Sequence, residues 1–425
     1  MKKLAAALIG AVSLAAMAHA QDAVIHAGHV MAVPGEGYLT QQTILVEDGR
    51  IVSVTPSYKT PKKYPVIDLK SAWVLPGLID SHVHITSEFS PTGRIKDFEN
   101  SEVDAAFDGA AFALTTLKAG FTAVQDVGGA NAAVFALRDA IARGAVPGPR
   151  MRTSGSAVAV TGGHGDINGY SARVMAAFTG SSICNGADDC RRAVRQQIKE
   201  GADLIKITAT GGVLSNTSAG LEQQFSDEEL VAIVEAAHAM GRKVTAHAHG
   251  KGGVDAALRA GVDSIEHGSY VDEGSIALFK ENGATLVPTV LAGATVGTWV
   301  NEPWLPAPSR AKAAIVAPLL LDMLRRAHEG GVNIAFGTDT GVSRHGHNAK
   351  EFALMVEAGF TPEEAIRSAT VVASEHIQMA ADIGTLEAGK YADLIAVTKD
   401  PLKDIRELES VDFVMKGGEV FVALD

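Results

Sequence analysis

Asp80-Ser81-His82-Val83-His84-Ile85, entered from the apolar run Trp73–Ile79, is the stretch on which the fold turns. An apolar run of this length that ends in alternating histidines reads as a buried strand with a polar exit. A strand sends alternate residues to the same side. His82 and His84 therefore face one way, and two neutral imidazoles so placed can close on one metal ion. An isolated HxH pair is also common on ordinary surfaces, so the reading depends on the polar residues further along the chain.

Beyond Pro76, apolar runs of strand length alternate with helical stretches. The expected strands are 77–85, 122–127, 150–157, 204–209, 243–247, 264–267, 285–290 and 333–338. The expected helices between them are 105–119, 132–143, 187–200, 227–240, 252–260, 273–282 and 309–329. Alternating β and α elements imply a parallel sheet, and eight units suggest a closed (β/α)8 barrel over 76–380. An open doubly wound sheet is the other option, but no strand here leads into a Gly-rich phosphate loop. Thr361-Pro362-Glu363-Glu364 opens one more helix, with Thr361 as N-cap. Residues 21–75 read as β, with Asp48-Gly49 marking a hairpin. Residues 381–425 return to short strands around Lys416-Gly417-Gly418. Both segments are too short to leave their edges open, so they are expected to pair as one small β-sandwich.

Of 425 residues, 47% are apolar and 20% charged, which suits a compact α/β enzyme rather than a disordered chain. The formal charge of −12 argues against nucleic acid or anionic membrane as partner. Residues 1–20 read as an export signal: Lys2 and Lys3, an apolar stretch from Leu4 to Met17 too short for a stable membrane anchor, and the cleavage-type triplet Ala18-His19-Ala20. The mature chain is then expected in the periplasm or outside the cell, with a charge of −14 once the two lysines are removed. Cys184 and Cys190 are the two cysteines. In an exported protein they suit a disulfide closing a small loop; two free thiols are the other possibility.

In a barrel, chemistry sits at the C-terminal strand ends. His82 and His84 end the first strand, Lys206 lies on the fourth, His247 and His249 end the fifth, His267 ends the sixth and Asp339 the eighth. Lys206 stands between Ile205 and Ile207, where its charge is costly unless paired or modified. It either snorkels to the barrel mouth or loses its proton and takes up CO2 as a carbamate, an anionic ligand able to bridge two metals. His164, in Thr161-Gly162-Gly163-His164-Gly165, is either a loop histidine or a donor to a developing oxyanion. Tyr270, Arg344, His345 and His347 follow strands six and eight. They are candidates to receive a substrate carboxylate, or else a solvated loop. Trp299, Trp304 and Leu305 line an apolar pocket or pack on a second subunit.

With HxH on strand one, Lys on four, His on five and six and Asp on eight, the chain resembles the amidohydrolase superfamily of binuclear type with a bridging carboxylated lysine. The flanks carry the resemblance as well: LPGLIDSHVH at 75–84, IKITATGGV at 205–213, AHAHG at 246–250, IEHG at 265–268, GTDTG at 337–341 and GTLEAGKYADLIAV at 384–397. It is similar to exported Xaa-Pro, Xaa-Arg/Lys and hydrophobic dipeptidases and to bacterial amidohydrolases that hydrolyse ochratoxin A. The resemblance implies two divalent metals, Zn2+ by donor type. His82, His84 and Asp339 would hold one, His247 and His267 the other, and N6-carboxylated Lys206 would bridge them. His249 is then a neighbour rather than a ligand, although its place two residues after His247 keeps it in contention. The implied reaction is hydrolysis of an amide to a C-terminal amino acid, in a dipeptide or an N-acyl amino acid such as ochratoxin A. A metal-bridged hydroxide would attack, Asp339 would move the proton, and His164 would stabilise the oxyanion. The resemblance also implies a small-molecule partner and a homo-oligomer. A lactonase or cyclic-amide hydrolase on the same site is the alternative within enzymes, and a non-catalytic metal-binding scaffold the alternative outside them.

Overall fold

A computed structural model describes residues 22–424. The expected export signal, residues 1–20, lies outside the described residues. The chain opens with β1 (Ala23–Val30), β2 (Leu39–Glu47), β3 (Arg50–Pro56) and β4 (Val66–Pro76). The Asp48-Gly49 turn joins β2 to β3 with both residues at positive φ, 48° and 74°. That geometry matches the twist of a two-residue hairpin.

Two parallel arcs follow. β5 (Leu78–Val83), β6 (Phe121–Asp126) and β7 (Arg150–Thr153) form one. β8 (Ile205–Thr208), β9 (Val244–Ala248), β10 (Ser264–His267), β11 (Thr285–Val287) and β12 (Asn333–Ile334) form the other. Irregular backbone crosses the gap on each side. Between β7 and β8, Val158 N donates to Lys206 O at 2.8 Å and Thr208 N to Val158 O at 3.2 Å. Between β12 and β5, Ser81 N donates to Phe336 O at 2.9 Å, Asp339 N to His82 O at 2.8 Å and His84 N to Thr340 O at 2.7 Å. The strands β7 and β12, which end at these gaps, are each four residues shorter than expected. β7 stops at Thr153 because the chain bends through Gly155 at φ 64°. β12 stops at Ile334 because Phe336 N turns to Ser368 O and the following residues pair with β5 instead of β11.

The connecting helices fall close to expectation: Glu102–Lys118, Asn131–Ala142, Ala187–Glu200, Asp227–Ala239, Lys251–Ala260 and Glu273–Asn282. The single helix expected over 309–329 is instead Ala307–Val316, a 3-10 turn Ala317–Leu319 and Leu320–Glu329. Pro318 lacks the N–H an uninterrupted helix needs. The strand expected to reach Val290 ends at Val287, and Val290 opens a helix to Gly297. Thr361 caps helix Pro362–Arg367 as expected, with Glu364 bonding back to the Thr361 N–H at 2.8 Å.

β13 (Leu394–Val397), β14 (Phe413–Lys416) and β15 (Glu419–Val422) close the chain. β13 pairs antiparallel with β4, so both termini share one seven-stranded sheet, ordered β15-β14-β13-β4-β1-β2-β3. The small β-sandwich expected from the two terminal segments is consistent with this sheet, which both segments build together. Its apolar residues, among them Ile25, Ile44, Leu69, Leu394 and Phe413, gather in one buried cluster. Arg150 of β7 reaches Asp393 beside this sheet through two bonds, 2.8 and 3.0 Å, tying sheet to body. No helix among the described residues is long and apolar enough to cross a membrane.

Cys184 and Cys190 form a disulfide with Cα atoms 5.0 Å apart, closing the loop that leads into helix Ala187–Glu200. Both cysteines are fully buried. Restricting so short a loop in the unfolded chain contributes about 2 kcal/mol. A Cys184→Ala/Cys190→Ala variant is expected to unfold at a correspondingly lower urea midpoint. An unchanged midpoint, or two alkylatable thiols in the unreduced protein, would contradict this.

Candidate active site

The strand ends converge on a cavity of about 510 Å³ whose lining includes His82, His84, His164, Lys206, His247, His249, His267 and Asp339. Two groups of potential ligand atoms lie within it: His82, His84 and Asp339, and His247, His249 and His267, the atoms of each within 4.8 Å of one another.

In the first group the proton positions follow from the neighbours. His82 Nδ1 lies 2.5 Å from Glu266 Oε2, and His84 Nδ1 lies 2.8 Å from Gly128 O. Carboxylate and carbonyl oxygens only accept, so each Nδ1 carries the hydrogen and a neutral ring's Nε2 carries a lone pair. Those Nε2 atoms stand 3.4 Å and 3.1 Å from Asp339 Oδ1. Oδ1 has no hydrogen bond, and Asp339 raises His84 beside it against the effect of burial, so without a metal a proton can take the place between them. Three acceptors converging on one point repel each other unless a cation lies among them, which is the donor set of a divalent metal. Glu266 is held in place by Thr245 Oγ1 and by Ser264 Oγ at 3.2 Å. Burial raises its carboxyl, but His82 and Lys206 outweigh this and bring it down to about 2.

In the second group, His249 Nδ1 is 2.7 Å from Ser269 Oγ, and His267 Nδ1 is 2.7 Å from Thr289 Oγ1. His247 Nε2 is buried with no partner. Burial brings His249 down to about 3 and holds His247 and His267 well below the usual imidazole range. Neutral imidazoles are the form that binds metal. The residues therefore fit a second cation, and the structure sets His249 within 4.8 Å of the ligand atoms of His247 and His267. Lys206 is buried, and burial lowers its amine although Glu266, Asp339 and Asp126 face it.

His267, Asp339 and Thr289 hold left-handed backbones, with φ of 71°, 57° and 50°. Such a conformation costs a non-glycine residue of order 1–3 kcal/mol and concentrates at functional sites. The Thr289 strain is sustained by Glu351, whose fully buried carboxyl burial pushes up to about 8. Glu351 accepts from Val290 N at 2.9 Å and Leu291 N at 2.6 Å, fixing the helix start beside Thr289. His164 Nδ1 is 2.6 Å from Ser215 Oγ, and its ring centroid is 4.2 Å from that of His247. Gly212 makes room for it, since a Cβ there would lie 2.3 Å from the His164 ring. Burial first, then Lys206 and Lys312, bring His164 down to about 4.

The carboxylate-binding candidates lie elsewhere. Tyr270, Arg344, His345 and His347 are not among the cavity's lining residues. Tyr270 and Arg344 are exposed. His345 is buried with its Nε2 2.8 Å from Ser87 O and its ring stacked on Phe112. The guanidinium that does line the cavity is that of Arg94, in the polar stretch 90–100. Its position there follows no motif. Asp80 and Glu266 stand inside the motifs LPGLIDSHVH and IEHG, but nothing in those motifs by themselves gives either carboxylate a role. Their one available signal is a carboxylate inside an apolar strand.

Burial holds His164, His249 and His376 neutral, at about 4, 3 and 4 against 6.5 for a free imidazole. Between pH 6.5 and 4 the unfolded chain binds more protons than the folded one, so stability falls as pH falls. A shift of this size is worth on the order of 3 kcal/mol per histidine. The metal-free protein is expected to lose thermal stability steadily across that window, with a shallower slope in a His376→Gln variant. A flat profile would contradict it.

Comparison with known proteins agrees with this geometry. The Amidohydrolase family model matches residues 73–421. The chain is 35% identical to ochratoxinase from Aspergillus niger over 96% of its own length and 88% of that protein's. The crystal structure of A. niger ochratoxinase superimposes with a TM-score of 0.82, covering 96% of this chain and 97% of that one at 33% identity. A Xaa-Pro dipeptidase with bound methionine in the active site gives a TM-score of 0.89 at 39% identity, covering 94% and 99%. A prolidase complexed with N-methylphosphonate-L-proline gives 0.85 at 32%, covering 95% and 100%. Together with the cavity, these matches place the chain in the amidohydrolase family, as a hydrolase acting on amide bonds.

Proposed function

We propose that this protein cleaves the amide bond to a C-terminal amino acid, in dipeptides and in N-acyl amino acids such as ochratoxin A. The observation that carries the reading is the convergence of two donor groups and buried Lys206 on the floor of one cavity. The walls above them, Phe89, Val213, Leu214, Val296, Trp304 and Leu305, suit a bulky apolar or aromatic acyl group. The two relatives whose structures hold methionine and a proline phosphonate support an amino acid as the leaving group.

Two divalent cations, Zn2+ by donor chemistry, would be held by His82, His84 and Asp339 and by His247 and His267 with His249 beside them. Lys206 as N6-carboxylysine would bridge them. When bound they supply Lewis-acid polarisation of the amide carbonyl and a more acidic water. Asp339 accepts the proton from the attacking water and returns it to the amine nitrogen as the C–N bond breaks and the new C–O bond forms. Its carboxyl stays ionised for this: burial would raise it, but His82 and His84 hold it well below the usual range. His164, neutral and with Ser215 on its Nδ1, offers a donor to the carbonyl oxygen as negative charge builds there.

The strand-end cluster favours a closed (β/α)8 barrel over 76–380, supported by the hydrogen bonds across both gaps. The seven-stranded sheet would be a separate unit built from 21–75 and 381–425. Export to the periplasm or medium, after cleavage near Ala20, is supported by the signal-like N-terminus and by the buried disulfide. Exposed Val103 and Phe107 on one helix support self-association.

A panel of dipeptides, N-acyl amino acids and lactones, assayed with metal analysis of the same sample, tests the assignment. Amide turnover with about two metals per chain is expected. Turnover of lactones alone would replace it with the lactonase reading, and metal without turnover would make the protein a scaffold. Lys206→Ala is expected to lose metal and activity together. Asp339→Asn should keep most metal and lose roughly two orders of magnitude or more in kcat.

A further inference from the structure

The cavity pairs a cationic side chain with apolar walls. Arg94 comes from the segment after β5 and enters the lining beside Phe89, Tyr170 and Asn216. Three neutral groups hold its guanidinium. Nε donates to Tyr170 Oη at 3.2 Å and Nη2 to Gly169 O at 3.4 Å. With the Asn216 amide turned so that its oxygen faces Arg94, that oxygen accepts from Nη1 at 3.0 Å and Nη2 at 3.2 Å. The guanidinium carbon lies 4.6 Å from the centroid of the Tyr170 ring, and Phe98 packs edge-on against that ring with centroids 4.6 Å apart. These contacts orient the fork while leaving its charge to be matched by something else.

The other cations of the region are committed. Lys312 Nζ donates to Gly212 O at 2.7 Å and Ser215 O at 2.9 Å, and Lys206 belongs to the metal-ligating floor. The carboxylates lining the cavity are also engaged. Asp166 accepts from Gly162 N at 2.7 Å and Ile167 N at 2.8 Å, Glu88 accepts from His345 N at 3.0 Å, and Asp339 stands among the histidines. Tyr170, Gly169 and Asn216 together take four of the five guanidinium N–H groups, and the remaining Nη1–H with the unmatched positive charge suits one oxygen of a carboxylate.

We infer that Arg94 receives the free α-carboxylate of the amino acid released from the substrate, and so selects substrates that end in a carboxylate. This rests on the amide-hydrolase reading above and adds a specificity-determining residue to it. Arg94 moves no proton and forms no bond; it holds one end of the substrate while the scissile amide lies on the cavity floor. Its removal should therefore act on one substrate class and spare another.

The test uses the full, metal-loaded chain with N-benzoyl-L-phenylalanine and its C-terminal carboxamide, following benzoate release. The wild type is expected to prefer the free acid. Arg94→Ala should lower kcat/KM for the acid about 10- to 100-fold, mainly through KM, and change the carboxamide less than about 3-fold. Arg94→Lys, which keeps the charge without the fork, should fall between and covers the case in which the alanine variant folds poorly. L-Phenylalanine binding by calorimetry gives a readout independent of turnover, and it should weaken in both variants. Equal losses on acid and carboxamide, a wild type indifferent to the carboxylate, or unchanged L-phenylalanine binding in Arg94→Ala would overturn the role of Arg94. If the wild type cleaves neither compound yet L-phenylalanine binding still depends on Arg94, the amide-hydrolase reading fails while the carboxylate site stands.

Discussion

The buried carboxylate of Asp80 is the constraint through which the two ends of the α/β body become one site. Its Oδ1 accepts from His82 N and Thr338 N, each at 3.1 Å. Its Oδ2 accepts from Thr338 Oγ1 at 2.6 Å and Asn348 Nδ2 at 2.7 Å. β5 and the residues after β12 are more than 250 positions apart in sequence, and this one side chain joins them. Burial raises its carboxyl to about 6, with the hydrogen bonds from Thr338 and Asn348 pulling the other way. It therefore stays an acceptor at neutral pH. An unpartnered carboxylate would be costly in this fully buried place, so the four donors and the anion depend on each other.

The site's electrostatics follow from the same balance of burial and partners. The imidazoles of His247, His249 and His267 lose their protons because a charged ring in a low-dielectric interior has no compensating water. The carboxylates among them, Glu266 and Asp339, behave oppositely, because histidines surround them and favour the anion. The His247, His249 and His267 side of the floor is thus assembled from neutral imidazoles, the form that binds a divalent cation. Three strained backbones sit in this region, and neighbouring groups hold two of them directly: Asp339 N on His82 O, and Thr289 beside the helix start that Glu351 fixes.

The walls answer to a different rule. Helix Val290–Gly297 supplies Ala292, Gly293 and Val296 to the cavity and, through Thr289, orients His267. One element thus shapes the substrate space and positions a candidate ligand. A change in its seating, for instance at Glu351, would be felt at both.

Much of this was legible in the chain itself. Periodicity placed β6, β9 and β10 and the helices 187–200 and 273–282 within one residue, because strands and helices there follow a simple apolar rhythm. The alternation of His82 and His84 set their common face, and Asp48-Gly49 set the hairpin. The sequence did not determine which of the remaining polar residues would meet. Arg344 and His345 follow the last strand closely and yet do not line the cavity, whereas Arg94 does so from a stretch with no motif. β12 ends early because its backbone finds better partners in β5 and Ser368 than in β11. Local pattern reports what each segment buries. Which distant segment completes its hydrogen bonds, and which loop bends over the strand ends, is settled only when the whole chain competes for the same partners.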